Sequence, residues 1–197
     1  MSDVMDVARH LIGVGYDLSA PDESVLVCPL RLQKLLYYCQ GWSLALLGRP
    51  LFAQPIEAWE HGPVVRDVYE RFKGGRVGIT PDQVGPSVGK LTATEAALVE
   101  TVWKEYAGCT PRQLVDMTHD EPAWKEARGS SASLSHDTMR GHFAAVLREM
   151  AARATRPGYP VLDPADVWRA EEAVERSGGT GTPAAEVFGP LLAEVVP

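Results

Sequence analysis

The stretch from Pro29 to Gly48 constrains the fold more than any other part of the chain. Leu32, Leu35, Leu36, Cys39, Trp42 or Ser43, Leu46 and Leu47 recur there at helical spacing. Pro29 suits a first helical turn, where its missing N–H would have had no partner, and Gly48 suits a stop. A helix of this period sorts its residues into faces. Gln33, Lys34, Tyr37 and Gln40 fall opposite the leucines, with Tyr38 at the boundary. On that wheel two adjacent tyrosines cannot both point inward, so at least one is expected in solvent or against a partner.

After Gly48-Arg49-Pro50, the residues from Phe52 to Glu60 alternate loosely over too short a span for a helix. Pro63, following His61-Gly62, reads as the opening of a helix that carries Val64, Val65, Val68, Tyr69 and Phe72 to Gly74-Gly75. Arg76 to Lys90 reads as a Gly/Pro-rich loop. Two later starts are signed by side-chain chemistry, because a hydroxyl at the cap and a Glu or Gln three residues on satisfy each other's orphan amides. Thr92 with Glu95 and Thr110 with Gln113 both fit. The first box launches Leu98, Val99, Val102, Trp103 and Tyr106; the second launches Leu114, Val115 and Met117. Asp120-Glu121-Pro122 then restarts the chain with an acidic cap and carries Trp124, and a last helix from about Ser135 presents Met139, Phe143, Val146, Leu147 and Met150. The expected fold is mainly α, a single-domain helical bundle with a small β or extended element near residues 52–60.

Residues 1–155 are read as that domain and residues 156–197 as an acidic extension. Of 19 Lys+Arg and 26 Asp+Glu, which give a net charge of −7, the extension holds 3 and 7. Asp163-Pro164 suits the start of a short helix to Arg176, and Ser177 to Pro183 a flexible linker. The apolar end, with Val187, Phe188, Leu191, Leu192, Val195 and Val196, is expected to dock on its own core or on another chain. Neither part carries a basic stripe, which disfavours nucleic acid as a partner and favours a basic protein surface.

Three cysteines without C-x-x-C spacing support neither a disulfide framework nor a zinc knuckle. The start of the chain has no basic n-region, and no apolar run approaches the roughly 20 residues that span a bilayer. A cytoplasmic protein without membrane segments is expected. Chemistry would have to start from Cys39 or Cys109 with His61 or His119, since a thiolate needs an imidazole in reach. Cys39 falls on the apolar face, where a thiol behaves as a small core residue. The histidines His10, His61, His119, His136 and His142 form no H-x-x-x-H pair, and Gly74-Gly75 and Ser177 to Pro183 match no phosphate-binding pattern. No catalytic residue, metal or cofactor is expected.

Four blocks stand in order along the chain. They are Leu32-Gln-Lys-Leu-Leu-Tyr-Tyr-Cys-Gln-Gly-Trp42, Gly48-Arg-Pro-Leu-Phe52, Pro55-Ile-Glu-Ala-Trp-Glu-His-Gly-Pro-Val-Val65 and Met117-Thr-His-Asp-Glu-Pro-Ala-Trp124. Together they resemble the Panacea domain family of SocA-like, or phage-associated GepA-like, antitoxins over residues 5–150. The resemblance implies an antitoxin of a toxin–antitoxin system that neutralises a toxin, often a translation inhibitor, by protein contact. Delivery of the toxin to a protease and enzymatic reversal of the toxin's modification stand as the alternatives, and self-association stays open. It also implies that Lys34, Tyr37, Tyr38, Trp42, Trp59, His61, Gly62, Pro63, His119, Pro122 and Trp124 are signature positions. These, Pro122 apart, and the tail residues Phe188, Leu191 and Leu192 are the candidates for toxin contact. His61-Gly62-Pro63, read as a helix start, would offer free amides to a carboxylate. Cys39 departs from the small residue, such as Ala, that the resemblance leads one to expect.

Overall fold

A computed structural model describes residues 1–19, 27–75, 78–85, 89–130 and 132–154. The helix expected over Asp163–Arg176, the linker, the apolar tail and the contacts assigned to Phe188, Leu191 and Leu192 lie outside the described residues. Among those described are eight helices and one two-stranded sheet. In chain order they are α1 (Val4–Ser19), α2 (Pro29–Leu46), β1 (Ile56–Trp59), β2 (Gly62–Val65), α3 (Arg66–Phe72), α4 (Pro81–Val84), α5 (Ala93–Tyr106), α6 (Pro111–Asp120), α7 (Pro122–Ala127) and α8 (His136–Ala154). The mainly α class and the small β element are therefore as expected. The chain divides into two compact units, Met1–Ala145 and a second beginning at Val146. The first unit holds α1 to α7, the sheet and the start of α8.

The centre of the first unit is α2. Every residue from Arg31 to Leu44 is buried, and α1, α3, α5, α6 and β2 all pack against it. Such enclosure corrects the two-faced reading of this helix. Tyr37 and Tyr38 are both inside, at 0% and 1% exposure. The wheel argument fails because Arg31, Gln33, Lys34 and Gln40 do not need water: each hydrogen-bonds a loop or strand that packs on α2. Arg31 donates to the carbonyls of Ala107 at 2.9 Å and Cys109 at 2.7 Å, just beyond the last turn of α5, where a cation complements the unpaired carbonyls. Gln33 accepts from the Val65 N–H at 2.8 Å. Lys34 donates to the Pro63 carbonyl at 2.9 Å. Gln40 accepts from the Leu51 and Phe52 N–H groups at 2.9 and 3.2 Å and donates to the Phe52 carbonyl at 3.0 Å. Buried polar groups so satisfied escape the cost of orphaned ones.

Glycine enters the same helix for a steric reason. A Cβ on Gly41 would stand 2.2 Å from the Phe143 ring, which sits edge-on to Tyr37, Tyr38 and Trp42. Tyr38 stacks on Tyr106 at 3.9 Å, and the Trp42 indole N–H reaches the Tyr106 hydroxyl at 3.3 Å.

Pro63 does not open a helix. It lies in β2, which pairs antiparallel with β1 in the register Ile56–Val65, Glu57–Val64, Ala58–Pro63 and Trp59–Gly62. The carbonyl of Pro63 turns away from β1 toward Lys34, so its absent N–H falls on the same outer side and costs the ladder nothing. Glu60 and His61 make the turn, and Gly62 follows at φ +93°, a backbone open to glycine at little cost. The helix starts one residue after the strand, at Arg66. Both capping boxes form, at Thr92/Glu95 and Thr110/Gln113, and Thr80/Gln83 makes a third that opens α4 inside the segment read as loop. No described helix is long and apolar enough to cross a membrane.

Candidate protein-binding site

The hairpin is held by side chains from α2, α3 and α7, with α6 behind α7; Lys34, Trp59, His61, Gly62, Pro63, His119 and Trp124 gather there, whereas Tyr37, Tyr38 and Trp42 pack around Phe143 and Tyr106. Above Trp59, the Trp124 indole N–H of α7 donates to the Trp59 carbonyl at 3.0 Å. His119, near the end of α6, stacks on Trp124 at 3.9 Å and 11°. On the other side of the hairpin the Trp59 ring meets Tyr69 of α3 edge-on at 4.7 Å, with the Arg66 guanidinium 5.4 Å from its centroid. Glu57 ties these together, accepting from Trp59 Nε1 at 2.8 Å and from Arg66 at 2.7 and 2.9 Å. This ion pair is surface-exposed and orients the indole more than it stabilises the fold.

Lys34 reaches the same place from below. It is fully buried, and burial brings its ammonium down to about 7. A Cβ on Gly62 would lie 2.8 Å from the Lys34 Nζ and 2.9 Å from the Thr118 hydroxyl, so glycine here answers to close approach as well as to φ. Burial first and the Lys34 charge second push His119 below the ordinary histidine range.

Glu121 is the residue that sequence reasoning misplaces. Its backbone caps α7 without a side-chain bond, and its carboxylate instead accepts from the Tyr37 hydroxyl at 2.5 Å, with His142 3.5 Å away. Burial lifts the Glu121 carboxyl to about 7 against the pull of the tyrosine hydroxyls, and the Tyr37 phenol is held above its usual range. Nothing local to Asp120-Glu121-Pro122 signals this, since the partner lies 84 positions earlier.

The signature residues thus divide by exposure. Lys34, Tyr37, Tyr38, Trp42, Gly62, Pro63 and Trp124 are buried and build the scaffold; Trp59 and His119 are half-buried, and His61 and Pro122 stand nearer the solvent. Met117, on α6, adds an exposed apolar side chain. The Cys39 thiol is fully buried, and burial pushes it well above its ordinary value, as for a small core residue.

Beside the turn of the hairpin opens a cleft of about 480 Å³ between the start of α2, Glu60-His61 and the end of α3. Its walls include Leu30, Trp59, Val64 and Tyr69.

Residues 32–125 match the family described as "Antitoxin SocA-like, Panacea domain", so the resemblance read from the four blocks holds for that stretch. Among curated proteins, the chain is similar to the Antitoxin SocA of Caulobacter vibrioides (strain NA1000 / CB15N), with 40% identity over 70 residues. That alignment takes in 36% of this chain and 35% of the relative, about a third of its length. No solved structure matches the chain.

Proposed function

We propose that this protein is an antitoxin that holds a cognate toxin by direct, non-covalent contact. The observation that carries the reading is the SocA-like Panacea domain over residues 32–125. The buried placement of the signature residues Lys34 and Tyr37, and of Cys39 on the same helix, supports it, because these side chains are committed to packing and clips. The contact face in this proposal is the hairpin with its neighbours: Trp59, His61 and His119, with Met117 beside them. Phe188, Leu191 and Leu192 are assigned to the same partner on their apolar sequence alone. A net charge of −7 suits a basic toxin, such as one acting on ribosomes or RNA, by speeding encounter.

The test is co-expression with the small reading frame beside the gene. Growth arrest by that frame alone, and rescue by this chain in hosts both with and without their major cytoplasmic proteases, is the expected result. Rescue that vanishes in the protease-deficient hosts would transfer the reading to delivery of the toxin for degradation. Replacement of Trp59 by Ala together with His61 by Ala should weaken binding by about 2 kcal/mol, roughly thirtyfold, as loss of an aromatic anchor does. Cys39→Ala should leave rescue intact; its loss would instead favour enzymatic reversal.

A further inference from the structure

We infer that the cleft beside the hairpin receives the free C-terminal carboxylate of an extended partner segment whose last side chain is apolar. This rests on the protein-binding reading and specifies what one part of that face recognises.

The donors come first. Helix α2 has 18 residues, and Cys28 at its N-cap contributes no side-chain hydrogen bond. Pro29 has no N–H, so the amides of Leu30 and Arg31 stand uncapped at the positive end of the helix. Cys28, Pro29 and Leu30 line the cleft. An independent observation points the same way. Gln33 lines the cleft too and is only 4% exposed. Its carbonyl oxygen is taken by the Val65 N–H, while its Nε2 amide has no partner among the described residues. A donor that the protein leaves unpaired on a 4% exposed side chain of the cleft wall is free to meet an acceptor there.

The nature of the acceptor depends on charge and shape. Lys73 lines the cleft but pairs with Glu70, and Glu60 lines it from the turn, so net charge there is close to balanced. Selection then falls to directional donors: the Leu30 backbone amide and the Gln33 side-chain amide, both on residues that line the cleft, suit a planar carboxylate, which accepts only. The walls of Leu30, Trp59, Val64 and Tyr69 are apolar and suit a hydrocarbon side chain next to it. A volume of about 480 Å³ takes one or two residues, which fits the end of a chain better than a segment running through. His61, read in sequence as part of a carboxylate-holding helix start, does border such a site, but the helix is α2.

The experiment uses the full chain, isotope-labelled, and the peptide acetyl-Gly-Ala-Leu with a free C-terminal acid. Saturable shifts of the Leu30 and Arg31 amide signals and of the Gln33 side-chain amide are expected in the millimolar range. The same peptide as its C-terminal amide should bind at least about tenfold more weakly, since a charge-assisted acceptor is lost. Q33E keeps an oxygen for the Val65 N–H and replaces the open donor with negative charge, so it should lose the binding at unchanged circular dichroism. Equal binding of acid and amide would overturn the inference. So would equal binding by an amidated peptide with an internal Asp, or full binding by Q33E. Growth rescue is scored apart: rescue without peptide discrimination removes the carboxylate site and leaves the antitoxin reading. Discrimination without rescue upholds the site and removes the antitoxin reading.

Discussion

Lys34 and Glu121 are buried ionisable groups, and their placement predicts how stability answers to pH. Burial lowers Lys34 from 10.5 to about 7, so across that window the unfolded chain holds a proton that the folded chain lacks. Stability therefore rises with pH from about 7 to 10.5, by at most about 1.4 kcal/mol per pH unit for one group. Glu121 has the opposite sense: its carboxyl is raised from 4.5 to about 7, the folded chain holds the extra proton, and stability falls as pH rises through that range. From these two groups a minimum near neutral pH is expected. Urea unfolding followed by tryptophan fluorescence at a series of pH values will show it, with Lys34→Met flattening the alkaline limb and Glu121→Gln the acid limb. Gly41→Ala should cost about 1–3 kcal/mol through overpacking against Phe143, and Phe143→Leu in the same chain should recover part of it.

At the scale of elements, the boxes that start α5 and α6 are legible in the sequence because their chemistry is local: three residues separate each partner pair. Thr92→Ala should cost more than Thr110→Ala, about 1 kcal/mol being usual for a lost cap. Glu95 also accepts from Arg49 at 3.0 Å and Ser2 at 3.1 Å. Burial alone would raise its carboxyl, and the hydrogen bonds from Thr92, Arg49 and Ser2 prevail to bring it down to about 2. Thermal melts of the two variants will rank them. The face of α2 is illegible for the contrary reason. Periodicity sends Gln33, Lys34 and Gln40 outward, and only partners 11 to 32 positions away show that their heads are clips inside. Pro63 misleads because proline serves equally at a helix start and on a strand whose N–H side is not needed. Gly62→Ala should cost about 2 kcal/mol, from positive φ and the approach of Lys34 together.

Across the molecule, the acidic balance of −7 predicts that association with a basic partner slows as salt is added, because long-range attraction is screened within about 10 Å at 0.1 M. Stopped-flow measurement of complex formation at low and high ionic strength will show a fall in the association rate with little change in dissociation. The four blocks are readable as a family signature without their geometry, since order and residue type survive where contacts do not show. The hairpin has a last consequence. Gln33 and Lys34 occupy the outer Val65 N–H and Pro63 carbonyl of β2, while Leu134 N–H bonds the Ile56 carbonyl and Ser133 bridges Glu57 on the flank of β1. Both margins of this miniature sheet are sealed, so no foreign backbone can extend it by augmentation. Whatever docks here must be recognised through its side chains or its terminus, and cross-β stacking of one copy on another is closed off by the same contacts.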